Sequence, residues 1–274
     1  MYVCANTTEP TVAATPSAIL NASGTGSAVY TSMSITPNGG AARTISGAAT
    51  TGFPLIDLVG ADNVTIDGLN TGGNTLTIAN TLSPGTTGTS TIRFIGGATT
   101  NTITNCNLQG SKGTSVATNG GVIAFSTDAV TASGNDNNTI SNNNIGPAGA
   151  NLPTTGIQCN GSVSTTAIGN SGLVINNNNI FDYFGAAVTS AGIAVNGGCN
   201  GFSITNNRFY QTGTRTWTTG AEHNGILLNS STATSGVQGM TVTGNTIGQG
   251  RLETRHKRYL GLLIGGYWMT TYWA

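Results

Sequence analysis

The side chains best suited to chemistry are concentrated between residues 180 and 223 of this 274-residue chain. Two segments in this stretch, residues 179–183 and 208–212, align with each other, and the alignment places Phe181 beside Tyr210. Stacked aromatic rings beside charged groups are typical of a shelf that binds sugars. The candidate glycan-binding residues are Phe181, Asp182, Tyr210, Arg215, Trp217, Glu222 and His223.

The same residues also fit a structural role, in which the aromatic rings stack and close a loop over the body of the domain. The pattern favours this second interpretation. Glu222 and His223 are adjacent, but the sequence shows no nucleophile beside them, so acid–base catalysis is not indicated. The chain has two histidines and no adjacent pair of aspartates. The sequence therefore predicts no catalytic residue.

Metal sites and disulfides are the other chemistry that residue spacing can reveal. The four cysteines lie 40 or more residues apart, at Cys4, Cys106, Cys159 and Cys199. No zinc-type Cys-x-x-Cys pair is present, three disulfide pairings are possible, and buried free thiols are the favoured interpretation. Asp128 and Asp136 flank a polar loop and could hold calcium, but turn formation explains them equally well. The sequence therefore predicts no metal site and no cofactor.

A repeating unit positions these side chains, because the chain is self-similar. One register reads Asn-Thr-Ile-Thr-Asn-Cys-Asn-Leu at residues 101–108 and Asn-Thr-Ile-Ser-Asn-Asn-Asn-Ile at residues 138–145. A second register between these copies is centred on Gly-Ile, so each unit contains at least two short strands. Such a repeat is typical of a solenoid, in which every coil presents the same positions to the core. The central apolar residues recur every 29 to 38 positions, at Ile66, Ile103, Ile140, Ile175, Ile204 and Val242.

Asparagines follow each isoleucine strand, where the chain must bend sharply. Asparagine tolerates the left-handed backbone conformation that such corners require. Stacked from coil to coil, the amide side chains could hydrogen-bond to one another and to the backbone. The sequence thus predicts an asparagine ladder formed by Asn105, Asn142, Asn177 and Asn206, with Gly244 at the same place in the last copy.

The repeats resemble the right-handed parallel β-helix of the pectin-lyase-like superfamily. Residues 57–69, Asp-Leu-Val-Gly-Ala-Asp-Asn-Val-Thr-Ile-Asp-Gly-Leu, look like the opening coil of such domains. The chain is also similar to Thr-, Asn- and Gly-rich segments of large secreted proteins of Bacteroidetes-type bacteria. The resemblance covers about residues 6–248 and implies an all-β, right-handed parallel β-helix of about six coils. It also implies a secreted or cell-surface location, although no signal peptide is visible.

Composition limits the alternatives and divides the chain. Only 7% of the residues are charged, while Thr, Gly and Asn make up 119 of the 274, which nearly excludes a helical bundle. A formal charge of zero argues against nucleic-acid binding. The apolar run at residues 259–264 is too short for a transmembrane segment.

The predicted regions are an N-terminal capping or first-coil region at 1–50, β-helix repeats at 51–250, and an atypical basic and aromatic tail at 251–274. The first 250 residues carry a charge of −3 and the tail carries +3. That break in composition favours a frameshifted or artificial end over a native cap.

The sequence favours a non-catalytic, structural or adhesin-like segment of a secreted or cell-surface bacterial protein, with weak glycan binding. The expected partners are a polysaccharide or surface glycan and further coils or domains of a longer parent chain. A first alternative is a pectin-lyase-like lyase or glycoside hydrolase, but the clustered charges that such enzymes use are missing. A second alternative is an ice-binding surface made by the outward Thr-x-Thr ladder, which Val174 and Asn176 interrupt.

Overall fold

The computed structural model describes residues 1–127, 133–162, 168–229 and 236–248, and the backbone of two strands at 262–264 and 267–269. These residues form short β-strands joined by turns, and no α-helix occurs among them. Consequently, no described segment is a helix of the length and apolar character needed to cross a membrane.

Three long parallel sheets run the length of the domain, because each coil adds one strand to every sheet. The first sheet contains β1 (Tyr2–Val3), β4 (Met33–Pro37), β7 (Val64–Asp67), β10 (Thr102–Thr104), β13 (Thr139–Ser141), β17 (Val174–Asn176), β21 (Ser203–Thr205) and β24 (Thr241–Thr243). The second contains β2 (Thr7–Thr8), β5 (Ala42–Gly47), β8 (Thr75–Asn80), β11 (Cys106–Gly110), β14 (Asn144–Pro147), β18 (Asn179–Phe181), β22 (Arg208–Tyr210) and β25 (Thr246–Ile247).

The third sheet faces the other two across the core. It contains β3 (Ala18–Asn21), β6 (Pro54–Val59), β9 (Ser90–Ile95), β12 (Gly121–Phe125), β15 (Thr155–Cys159), β19 (Ser190–Val195), β23 (His223–Leu228), β26 (Leu262–Ile264) and β27 (Tyr267–Met269). The strand β27 is antiparallel to its neighbour. A separate two-stranded sheet pairs β16 (Asn170–Ser171) with β20 (Cys199–Asn200).

The architecture is an all-β parallel solenoid of about seven turns, which confirms the predicted fold class. The turn count exceeds the expected six because residues 2–47 already contribute β1 to β5 to the same three sheets. In the tail, β26 extends the third sheet beside β23. Apart from β26 and β27, residues 249–274 lie outside the described residues.

Inward side chains of the three sheets meet in one apolar core. Strand pairing aligns the predicted isoleucines in a single column of the first sheet, ending at the half-buried Val242. The buried members of that column are Ile66, Ile103, Ile140, Ile175 and Ile204. A glycine precedes the isoleucine of β15, β19 and β23 because the second sheet packs closely there. A β-carbon on Gly156 would lie 2.7 Å from the side chain of Ile180.

The corner asparagines adopt the left-handed conformation that the sequence suggested. Asn105, Asn142, Asn177 and Asn206 have φ values of 57°, 58°, 55° and 58°, and Gly244 at the same corner has 66°. Their side chains lie at the surface or half-buried. Among these four, one direct side-chain bond is present, from Asn177 Nδ2 to Asn142 Oδ1 at 2.7 Å.

The continuous buried ladder lies one residue later than the sequence analysis placed it, at Asn143, Asn178, Asn207 and Asn245. Asn178 shows the pattern: its Oδ1 accepts from the backbone N and the Nδ2 of Asn143, at 3.0 and 3.1 Å. Its Nδ2 donates to Asn207 Oδ1 and to the carbonyl of Ile140, both at 2.9 Å. The left-handed residue turns the chain, and the side chain that follows it points into the core.

Candidate functional site

The candidate glycan-binding residues lie on two consecutive coils. Residues 182–189 connect β18 to β19, and residues 211–222 connect β22 to β23. Because β18 pairs with β22 and β19 pairs with β23, the two connections leave and re-enter the sheets side by side. The structure separates the candidates into a half-buried aromatic pair and a mostly buried polar and aromatic cluster.

The aromatic pair is Phe181 and Tyr210, which the strand register places opposite each other. Their rings are stacked with centroids 5.5 Å apart and an interplanar angle of 16°. Both side chains are half-buried, and the Arg208 guanidinium lies 5.8 Å from the Tyr210 ring centroid. On the preceding coil, a β-carbon on Gly146 would lie 2.7 Å from the Phe181 ring, so glycine leaves room for the stack.

Asp182 holds the second connection against the first. The residue is 6% exposed and takes a positive φ of 51°. Its carboxylate accepts bonds from Thr212 N at 2.7 Å, from Thr212 Oγ1 at 2.5 Å and from Arg215 Nη2 at 2.5 Å. Arg215 Nε in turn donates to Gln211 Oε1 at 2.8 Å. With these three donors, Asp182 anchors a loop and is not free to attack a substrate.

His223 lies at the centre of the second cluster, in which Arg215 and Trp217 are half-buried. The buried members are Asp182, Tyr183, Phe184, Ser190, Gln211 and His223. Its ring stacks on Tyr183 with centroids 4.7 Å apart, and Trp217 and Phe184 meet it edge-on at 6.2 and 6.0 Å. Burial, reinforced by the positive charge of Arg215, lowers the pKa of His223 to about 4. The imidazole is therefore neutral near pH 7.

The hydrogen bonds of His223 identify its tautomer. Nε2 lies 3.4 Å from Gln211 Nε2, an amide nitrogen that can only donate, so the ring nitrogen accepts. Nδ1 then carries the hydrogen and donates to Ser190 Oγ at 2.8 Å. This arrangement is opposite to a Ser–His catalytic pair, in which histidine accepts the serine proton. Ser190 is also fully buried, so a substrate cannot reach its hydroxyl group.

Glu222 and Trp217 are both half-buried in the second connection. The backbone carbonyl of Glu222 accepts from Ser190 N at 3.0 Å. Its half-buried carboxylate forms no ion pair with a basic residue in the described part of the chain. Trp217 is half-buried, its ring meets Phe184 edge-on at 5.1 Å, and its Nε1 has no hydrogen-bond partner among the described residues.

A buried lysine is a feature that sequence reasoning missed. Lys112 is 1% exposed, and its Nζ donates to the carbonyls of Ser115 at 3.0 Å and Thr118 at 2.8 Å. Burial lowers its pKa to about 7. The lysine organises the loop from residue 111 to residue 120, and Val116 at the middle of that loop packs on the outer face of the third sheet. An isolated lysine in a polar loop offers no sequence signal for this role.

Three polar side chains on the outer face of the third sheet were also not identified from the sequence. The register places Ser90, Thr155 and Asn224 in one column of the third sheet. All three are buried, and their side-chain polar atoms have no hydrogen-bond partner among the described residues. Thr155 and Asn224 were nevertheless detectable, because both stand just before the Gly-Ile of their strands.

Metal binding receives no support from the described residues, in which no group of three or more His, Cys, Asp or Glu side chains is arranged to hold an ion. Asp136 Oδ1 accepts from Ser171 N at 2.6 Å and from Ser171 Oγ at 2.9 Å. The other half of the suggested calcium pair, Asp128, lies outside the described residues. Asp136 therefore has a turn-stabilising role within the solenoid.

Comparisons with known proteins find structural likeness but no related sequence. No family model and no curated protein sequence matches the chain. Two solved structures of the surface adhesin PfbA of Streptococcus pneumoniae are similar to it. The first has a TM-score of 0.45 and 15% identity, covering 90% of this chain and 74% of that one. The second has a TM-score of 0.43 and 14% identity, covering 94% and 80%. This likeness concerns the fold alone, so function has to be argued from the residues.

Proposed function

We propose that the chain is a non-catalytic structural segment, with an adhesin-like role, of a secreted or cell-surface bacterial protein. One observation carries the proposal: every described aspartate carboxylate accepts a bond from a residue 30 to 38 positions later, about one coil along. The bonded pairs are Asp57 with Arg93, Asp62 with Thr99, Asp67 with Asn105, Asp136 with Ser171, and Asp182 with Thr212.

Carboxylates committed in this way join coil to coil and are not available as general acids, bases or calcium ligands. Asp57 makes a two-pronged ion pair with Arg93, with bonds of 2.9 and 2.5 Å, and is 2% exposed. Such pairs resist the sliding of one coil against the next. A rigid solenoid with few charges is suited to carry or display other parts of a longer parent chain. The proposed partners therefore include further coils or domains of that chain.

The enzyme alternative gives a direct test. Incubation with pectic, alginate and chondroitin-type polysaccharides should release no new reducing ends and no unsaturated uronate absorbance. The reason is that Asp182 is held by three donors, and the neutral His223 donates to Ser190. Turnover that disappears in Asp182→Ala or Glu222→Ala would overturn the non-catalytic proposal. An untreated polysaccharide and a heat-unfolded sample serve as controls.

The outward Thr ladder gives less support to ice binding. Strand pairing puts Val174 between Thr139 and Ser203, and Asn176 between Ser141 and Thr205, so the rows of hydroxyls are broken. Ser141 Oγ also donates to Thr104 Oγ1 at 3.1 Å, and Thr205 Oγ1 donates to Asn176 Oδ1 at 3.0 Å. These hydroxyls stabilise neighbouring coils, as threonine does on many solvent-facing strands.

Weak glycan contact is the second part of the proposal, and the half-exposed stack of Phe181 and Tyr210 favours it. On a glycan array, Tyr210→Ala should weaken binding roughly tenfold for any sugar that stacks on this pair. Tyr2→Ala is the matched control, since Tyr2 is 69% exposed at the other end of the solenoid. Equal binding by wild type and by both Phe181→Ala and Tyr210→Ala would remove the shelf from the proposal.

A further inference from the structure

Two cysteines on neighbouring coils lie in contact. Cys159 ends β15, Cys199 begins β20, and their sulfur atoms are 2.9 Å apart although 40 residues separate them in the chain. This distance is shorter than non-bonded sulfur atoms ordinarily keep, and it is within 1 Å of the covalent S–S length of about 2.05 Å. Both residues are buried, at 1% and 0% exposure.

The backbone on either side holds the pair in place. Cys159 lies opposite Val195 in the third sheet, and Cys199 lies opposite Asn170 in the two-stranded sheet. Asn170 Nδ2 donates to Cys159 Sγ at 3.3 Å, and Asn170 Oδ1 accepts from Asn135 N and Nδ2 at 3.0 and 2.9 Å. These bonds fix both cysteines within one core cluster, so the sulfurs meet without any rearrangement of the coils.

The remaining cysteines are not candidates for this contact. Cys106 is buried, and its Sγ donates to the carbonyl of Thr104 at 3.1 Å. Cys4 is exposed at the N-terminal end of the solenoid. Of the three pairings that the sequence left open, the geometry therefore favours the one that includes Cys159 and Cys199.

We propose that Cys159 and Cys199 form a disulfide bond when the chain folds in an oxidising compartment in the presence of a small-molecule or protein disulfide. One cysteine thiolate attacks the oxidant disulfide, forms a mixed disulfide and expels one thiolate. The second cysteine thiolate attacks the mixed disulfide, forms the Cys159–Cys199 bond and expels the other thiolate. The two protein thiols lose two protons and two electrons in total, and the oxidant is reduced to two thiols.

The environment indicates when this reaction takes place. Burial raises the pKa of the Cys159 thiol, so thiolate is scarce once the coils have closed. The thiol–disulfide exchange therefore takes place during folding, before the core closes around the two cysteines. The product would close a loop of 40 residues between successive coils and be shielded from reductants. This inference does not rest on the proposed function, since it needs only the fold and an oxidising compartment.

The full chain exported to a bacterial periplasm provides the test, with alkylation under denaturing conditions before digestion. Trypsin should yield a peptide spanning residues 113–208 that contains only these two cysteines, unalkylated and lighter by two hydrogen atoms than its reduced form. Chymotrypsin cuts between them, at Phe181, Tyr183 and Phe184, so the two resulting fragments should stay joined until reduced. The oxidised protein should melt roughly 10 °C above the reduced, refolded protein.

The variant with Cys4→Ser and Cys106→Ala retains only the proposed pair, and no free thiol should be detected in it. If this variant fails to fold, the wild-type peptide map still decides the question. Alkylation of both Cys159 and Cys199 in the exported wild type would overturn the inference. So would a link from either residue to Cys4, to Cys106 or to a small thiol.

Discussion

Replacing Asn178 by alanine should lower the free energy of unfolding by about 4 kcal/mol. The side chain of Asn178 is 1% exposed and joins three coils through four hydrogen bonds. Its removal leaves the backbone N and Nδ2 of Asn143, the carbonyl of Ile140 and Oδ1 of Asn207 short of partners in the core. Buried polar groups without partners cost about 1–3 kcal/mol each, with incomplete additivity.

Urea unfolding followed by circular dichroism measures this effect. The matched control is Asn177→Gly, one residue away, which should cost less than about 1 kcal/mol because glycine readily adopts a positive φ. Asn177 is exposed with φ of 55°, and Gly244 already occupies the equivalent corner of the last coil. Equal losses in the two variants would contradict the assignment of the ladder to the later asparagine.

Lowering the pH from 6.5 to 4 should remove up to about 3 kcal/mol of stability through His223. The folded pKa of His223 is about 4, whereas its ordinary value is 6.5. Between pH 4 and pH 6.5 the imidazole is protonated in the unfolded chain and neutral in the folded chain. Stability due to the neutral imidazole is therefore complete above pH 6.5 and is lost progressively as the pH falls to 4.

The measurement compares wild type with His223→Gln, in which an amide replaces the imidazole and cannot titrate. Free energies of unfolding are determined at several pH values, and the difference between the two proteins isolates His223 from the carboxylates that titrate in the same range. The difference should change with pH below 6.5 and be constant above it. Parallel pH profiles for the two proteins would show that His223 is not buried as a neutral base.

Much of the fold could be predicted from the sequence, because every coil of a solenoid needs the same residue types at the same positions. The column from Ile66 to Val242 was correctly identified because each coil must offer an apolar residue at the same inward place. The left-handed corners were legible for a similar reason, since few residues other than asparagine and glycine tolerate that conformation. The first coils were harder to recognise, because residues 2–47 lack the Asn-rich consensus.

The ladder shows where a sequence pattern stops being sufficient. Residues 176–179 are four consecutive asparagines, and their sequence alone does not indicate which side chains point into the core. The backbone conformation decides that Asn177 turns outward and Asn178 turns into the core. The pairing of Phe181 with Tyr210 could be read from aligned strands, whereas the contacts of loop residues such as Trp217 depend on how two irregular connections pack.

By itself, the sequence determined the repeat, the all-β class and the positions of the inward apolar column, since these are local properties that recur from coil to coil. Only the tertiary structure decided which polar residues meet. It placed Ser190 against His223, buried Lys112 against two backbone carbonyls, and brought Cys159 to Cys199 across 40 positions of the chain. The physical reason is that coil lengths vary from 29 to 38 residues, so contacts between loops are set by three-dimensional packing and not by spacing along the chain.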